Sequence, residues 1–285
     1  MSKPEYRVLS FSGGKDSTAM LLCLLEEGIH IDCILFCDTG LEFPAMYRHI
    51  EKVEQAIGRP ITRVRCEASF EYLMLEHPVQ RKQNTLYDRR YGLERNGYSW
   101  PGPKMRWCTQ KLKDDPREKF LQPLREKYDV KEYVGIAADE QYRMQRRQNQ
   151  QPSHVHPLID WGMTEADCLN YCYAHGFDWE GLYNHFSRVS CWCCPLQPLA
   201  ELRQLYWNYP HLWAQLERWE SQTWRNFRAD FSIPELAIRF EFEKSCLADG
   251  RSITNRAFFS DLKRLLAEKA EPDITDSTGI GANCV

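Results

Sequence analysis

The chain has 285 residues, 43% of them apolar, and a formal net charge of −3. That length fits one large domain or one domain with a smaller appendage, and the near-balanced charge excludes a generic polyanion binder. No apolar run reaches the roughly 18 residues of a membrane span, and Met1-Ser2-Lys3-Pro4-Glu5 lacks the apolar core of a secretory leader, so a cytoplasmic protein with no membrane partner is expected.

Tyr6–Phe11 reads as a short strand, and Ser17–Glu27 as a helix with Met20, Leu21, Leu24 and Leu25 at helical spacing. Ile29–Phe36 is a second β-branched run, ending at Cys37-Asp38-Thr39-Gly40. A helix over Ala45–Ile57, a strand over Ile61–Arg65, a helix over Arg117–Lys127 and a strand over Glu132–Ala137 follow. Strands alternating with helices predict a doubly wound, parallel α/β sheet of about five strands, which binds ligands outside the carboxyl ends of its strands. The Ser12–Ser17 loop, Asp38 and the segment after Ala137 all fall at such ends, so one crevice is expected to join them. After Thr164 the pattern turns helical, and seven of the nine tryptophans lie beyond residue 160. The expected organisation is an α/β domain over 1–160, a helical subdomain over 161–268 and a loose tail over 269–285.

The segment Ser10-Phe11-Ser12-Gly13-Gly14-Lys15-Asp16-Ser17-Thr18 joins the first strand to the first helix. Two glycines allow close backbone approach and positive φ. The helix start offers unpaired N–H groups and a positive dipole end, Lys15 a point charge, and Ser12 and Ser17 hydroxyls, a set suited to phosphate. The spacing is not that of a Walker A loop. A plain capped turn would account for Gly-Gly alone but not for the polar residues around it. Asp38, an oxygen donor at the second strand's end, is a candidate Mg²⁺ ligand; a β-turn is the plainer reading. Arg143, after the fourth strand, is a candidate for a phosphate or substrate anion. His156 and His175 read as structural before catalytic.

Ser-Gly-Gly-Lys-Asp-Ser resembles the PP-loop of the ATP pyrophosphatase superfamily. Asp38-Thr39-Gly40-Leu41-Glu42-Phe43-Pro44, Arg106-Trp107-Cys108-Thr109-Gln110-Lys111-Leu112-Lys113, Gly135–Arg143 and His156–Trp161 are similar to further motifs of the phosphoadenosine phosphosulfate (PAPS) reductase-like family, the last to a late strand. The resemblance covers roughly residues 6–200. It implies cleavage of ATP between the α- and β-phosphates to adenylylate an acceptor. Lys15, Asp38 and Arg143 are the expected catalytic residues. The expected nucleotide contacts are Ser10, Ser12, Gly13, Gly14, Lys15, Asp16, Ser17, Asp38, Thr39, Gly40 and Gly135.

Twelve cysteines in a reducing compartment are not expected to form disulfides. Cys23, Cys33, Cys168 and Cys172 read as packing residues. Cys191-Trp192-Cys193-Cys194-Pro195 carries a Cys-x-x-Cys plus a third thiol, with Cys108 the remote partner, and suits a 4Fe–4S cluster, a zinc ion or free thiols. With Cys193 a bystander, a cluster would keep an open iron. The family's corresponding thiols hold a cluster in some branches.

The family's reductases carry a late catalytic cysteine in a Glu-Cys-Gly-Ile-His-like segment. Here the late cysteines are Cys246 and Cys284 and that segment is missing, which disfavours PAPS reduction and leaves sulfur insertion into DNA or tRNA, fed by a cysteine desulfurase or another donor. Residues 78–113 hold nine basic and two acidic side chains (Asp88, Glu94), interleaved with Tyr87, Tyr91, Tyr98, Trp100 and Trp107. Basic charge with aromatics suits nucleic acid; a lid over ATP or a solvated insert are the other readings. Arg146 and Arg147 extend the charge. A third reading is an ATP-hydrolysing subunit of a phage-defence complex, with Trp207, Trp213, Trp219 and Trp224 as a docking face.

Overall fold

The computed structural model describes residues 3–92, 95–145 and 150–270. Glu94, Arg146, Arg147, Cys284 and the tail from residue 271 lie outside them, as does the side chain of Tyr87. The elements are β1 (Glu5–Ser10), α1 (Lys15–Glu26), β2 (Cys33–Asp38), α2 (Pro44–Ile57), β3 (Thr62–Arg65), α3 (Phe70–Leu75) and α4 (Leu86–Tyr91). Then come a short α5 (Trp107–Thr109), a π-helical turn (Gln110–Asp114), α6 (Asp115–Lys127), β4 (Asp129–Val134), a 3₁₀ segment (Ala138–Gln145), β5 (His154–Val155) and α7 (Pro157–Asp160). The remainder is helical: α8 (Glu165–Ala174), a kinked 3₁₀ segment (Trp179–Asn184), α9 (Leu199–Asn208), α10 (Pro210–Glu220), α11 (Ile233–Ala248) and α12 (Arg256–Ala270).

The five strands form one parallel sheet in the order β3-β2-β1-β4-β5. Alternation along the strands covers both faces. Val8, Cys33 and Leu35 meet Leu121 of α6 on one side. Leu9, Ile34 and Phe36 face the larger core on the other, which includes Ala19 and Met20 of α1 and Ile50 of α2. That larger core continues through Cys168, Trp179, Trp213 and Phe240, so the helical segment shares its interior with the sheet across the boundary at residue 160.

The late strand expected over His156–Trp161 is instead β5 at His154–Val155, followed by the helical turn α7. Pro157 has no N–H for a ladder and sits at the first position of α7, which ends the pairing.

Strand order reverses between β1 and β4, whose last residues, Ser10 and Val134, pair. The loops that follow them therefore open side by side at the switch point, where open α/β sheets take ligands.

Candidate active site

Gly13 has φ +77°, and a Cβ there would lie 3.1 Å from the Met46 Sδ. Gly14 caps α1 with no side-chain hydrogen bond. Several of the loop's donors are satisfied by oxygens of the protein. The Ser12 N–H donates to Ser17 Oγ (3.1 Å), and Ser17 Oγ lies 3.1 Å from the Gly14 carbonyl. The Lys15 N–H donates to Tyr183 Oη at 2.8 Å, and the Trp179 indole N–H donates to the Gly13 carbonyl at 2.7 Å. The Lys15 ammonium, nearly buried, reaches Glu165 at 2.7 Å and Asp16 at 3.8 Å. Burial pushes the Asp16 carboxyl up to about 6, against the pull of Lys15 and with help from Glu165 and Glu140. One oxygen each of Asp16, Glu140 and Glu165 lies within 4.8 Å of the others.

Gly135, expected at the nucleotide, has a local packing reason to be glycine. A Cβ there would lie 3.2 Å from Ser17 N and 3.3 Å from Asp16 C, so its bare backbone lets the β4 loop sit against the first turn of α1.

A cavity of about 270 Å³ opens beside the loop. Its walls include Ser10, Ser12, Gly14, Lys15 and Asp16 of the predicted set, together with Cys37, Glu42, Lys113, Arg117, Tyr183 and Arg188–Ser190. Asp38, Thr39 and Gly40 are not in its lining. The Asp38 carboxylate accepts from the Gly40 N–H (2.9 Å) and the Tyr47 hydroxyl (2.8 Å), closing the turn that was the plainer reading. Thr39 donates to Glu42 at 3.0 Å. Arg143 pairs with Glu140 in its own 3₁₀ segment and is likewise not in the lining. Arg117 is held by the buried Glu132 at 2.5 Å. Arg188 is exposed at the cavity wall and makes no ion pair among the described residues.

The thiol loop is fixed at several points. The Trp192 N–H donates to the Leu41 carbonyl (3.1 Å), and the Trp192 ring stacks on Trp219 with centroids 5.5 Å apart. The Gln197 side-chain amide donates to the Cys191 carbonyl (3.1 Å), and Arg228 donates to the carbonyls of Pro195 and Gln197. Cys191 lies 3.6 Å from Thr39 Oγ1 and 3.7 Å from Glu42. Burial, then Glu42, pushes its thiol up to about 12. Burial raises Cys108, with Cys194 adding to it, and burial raises Cys193, with Cys191, Cys194 and Cys108 adding. Lys113 is held protonated chiefly by Cys191, against burial and with Glu42, Cys37 and Cys108 adding. Thiolates about 2.3 Å from one zinc ion would stand about 3.8 Å apart. Among the described residues no three of these thiols lie within 4.8 Å of each other.

Other expectations resolve differently. Trp100 and Trp107 of the basic segment are buried in the core, at 0% and 6% exposure, where no base can stack on them. Tyr98 is stacked between His77 and Trp107. Trp213 and Trp219 are core residues too, which removes them from a docking face. His156 Nδ1 lies 3.3 Å from the Val134 carbonyl, and His175 lies 2.8 Å from the Tyr171 carbonyl and 3.0 Å from Glu26. Cys246 is buried with Phe258 and Leu262, away from any reacting group. Trp179, Tyr183 and Glu165 lie about 150 residues or more from the loop they touch and carry no local motif in the sequence.

Among curated proteins, the chain is 28% identical over 230 residues to an uncharacterized protein of Methanocaldococcus jannaschii, covering 75% of this chain and 40% of that one. It is 26% identical over 250 residues to an uncharacterized 37.8 kDa protein of Escherichia phage 186, covering 75% and 74% respectively. The chain thus spans well under half the length of the archaeal relative. Among solved structures, a PAPS reductase of Candida auris in phosphate complex aligns at 14% identity and a TM-score of 0.43, covering 66% of this chain and 81% of that one. A tRNA thiolase of Methanococcus maripaludis, solved with its 4Fe–4S cluster, aligns at 15% and 0.37, covering 85% and 72%. Residues 7–197, from the first strand through the thiol loop, match the phosphoadenosine phosphosulfate reductase domain, and the chain belongs to that family.

Proposed function

We propose that this protein is a PAPS reductase-like ATP pyrophosphatase that adenylylates an acceptor for sulfur transfer to nucleic acid. The observation that carries the reading is the cavity itself. A helix mouth with Lys15 forms one wall, Lys113, Arg117 and Arg188 lie around the rest, and Cys191 of the thiol loop lies 3.7 Å from Glu42 of the lining. Charge develops on the leaving pyrophosphate as the α–β linkage opens, and fixed N–H dipoles and cations stabilise it there. To engage phosphate, the Lys15 N–H exchanges Tyr183 Oη, and its ammonium exchanges Glu165, for phosphate oxygens. Hard oxygen donors suit Mg²⁺; Asp16, Glu140 and Glu165 fit it better than Asp38, whose carboxylate is committed to its turn. Cys108, Cys191 and Cys194, with Cys193 beside them, would hold a 4Fe–4S cluster, which supplies an iron at which sulfur can be carried. The buried Cys246 supports no reductase chemistry.

The test is α-labelled ATP with PAPS, tRNA or DNA as acceptor. AMP and pyrophosphate are the expected products, stimulated by a nucleic acid. Lys15→Ala should lower turnover about 10²–10³-fold, the scale of losing one transition-state donor. ADP and orthophosphate as products would refute the assignment.

A further inference from the structure

A second cavity, of about 720 Å³, is walled in part by Pro195–Pro198, the residues that follow the thiols. Arg188–Ser190 wall the first cavity and Pro195–Pro198 wall the second, so the thiol residues Cys191 to Cys194 connect the two walls along the chain. We propose that this second cavity seats one nucleotide of single-stranded nucleic acid, the neighbour of the nucleotide that reacts. The inference rests on the reading of the acceptor as nucleic acid and assigns it a place.

Charge, ring chemistry and an orphan acceptor point the same way. Among the described residues, Arg90, Arg225 and Arg228 line the cavity with one acid, Asp230, which Arg228 holds at 2.8 Å. Three guanidiniums in one wall suit a phosphodiester. Tyr91 and Trp224 meet in the wall with ring centroids 5.0 Å apart, and Arg225 lies over the Trp224 ring. Aromatic rings beside arginines suit bases of any sequence. Gln197, 7% exposed, donates its amide N–H groups to the carbonyls of Cys191 and Trp192, which fixes the amide's orientation. Among the described residues its Oε1 is buried without a partner, and every nucleobase can bring an N–H donor to it. Of the described aromatics in the basic segment, Tyr91 is in this wall, while Trp100 and Trp107 belong to the core. The segment therefore contributes through Arg90 and Tyr91, joined by a loop more than 130 residues away.

The probe is fluorescein-labelled single-stranded DNA or RNA of about twelve nucleotides, within the size range of such sites. Anisotropy is read with the full chain at low and moderate salt. Binding should weaken as salt rises. Arg90→Ala and Arg225→Ala should each weaken it about tenfold at low salt and flatten the salt dependence, while Arg225→Lys recovers part of the loss. Lys263→Ala, on α12, should bind as the parent does. Circular dichroism confirms that each variant is folded. Arginine variants that bind as tightly as the parent would overturn the subsite and leave the nucleic-acid acceptor standing. A parent chain that binds neither DNA nor RNA would overturn the acceptor and the subsite with it. Loss of a co-purifying polypeptide in the arginine variants, with oligonucleotide binding unchanged, would also overturn the proposal, in favour of a protein partner.

Discussion

Acidification should pull the phosphate loop's supports in opposite directions, and two substitutions separate them. His49 is 3% exposed, stacked on Trp179 with centroids 4.3 Å apart, with Nε2 3.1 Å from Thr18 Oγ1. Burial, then Lys52, lowers it from the ordinary 6.5 to about 3. In the same first turn of α1, burial raises Asp16 from 3.8 to about 6. Between pH 7 and 5 the unfolded His49 gains a proton that the folded one refuses, so stability falls, by about 2 kcal/mol. Over the same window the folded Asp16 gains a proton that the unfolded one does not, so stability rises, by about 1 kcal/mol. The two nearly offset in the parent chain. Asp16→Asn removes the gain and should steepen the loss on acidification by about 1 kcal/mol; His49→Gln removes the loss and should reverse the slope by about 2 kcal/mol. Denaturant titrations of the three proteins at pH 7 and 5 test this, because every other titrating group is common and cancels in the differences. Three parallel pH profiles would refute the reasoning for both groups.

Tyr183→Phe frees the Lys15 N–H, so pyrophosphate should bind more tightly by calorimetry, while the free protein loses about 1 kcal/mol with the hydrogen bond. Gly135→Ala drives a methyl against the backbone of Asp16 and Ser17, which cannot rotate away. It should cost roughly 1–3 kcal/mol in thermal melts and weaken nucleotide binding in step. Arg188→Ala removes an exposed cation with no ion partner among the described residues, so stability should stay within about 0.5 kcal/mol while KM for ATP rises.

The sheet was legible because its strands are short β-branched runs between helices of clear period, and because Gly13-Gly14-Lys15 announces a backbone that must come close to something. The failures have separate physical causes. His156-Pro157-Leu158-Ile159 has a strand's composition, but Pro157 cannot join a ladder and starts a helical turn instead. Tryptophans among arginines look like a stacking surface, yet an indole's large apolar area is equally suited to a core, and composition does not say which side of the chain it faces. Asp38 ends a strand as a ligand would, and its carboxylate also accepts from the Gly40 N–H two residues on, a local bond that Asp commonly makes and that a sequence does not tell apart from a ligand's place. Glu165 and Tyr183 meet the loop only through tertiary packing, and no periodicity records that.

Those two residues change how nucleotide binding has to be understood. In the free protein the loop's cation and its Lys15 N–H are not waiting in solvent: Glu165 holds one and Tyr183 the other. Any phosphate gains only the difference between its own contacts and the ones it replaces. Both acceptors sit on the segment that continues into the thiol loop, with Glu165 at the start of α8 and Tyr183 five residues before Arg188. Releasing them therefore loosens the segment that carries the cavity's far wall. By linkage, whatever shifts that segment must alter nucleotide affinity by the same factor as nucleotide shifts the segment. An acceptor bound against the thiol loop would then be coupled to ATP without touching it.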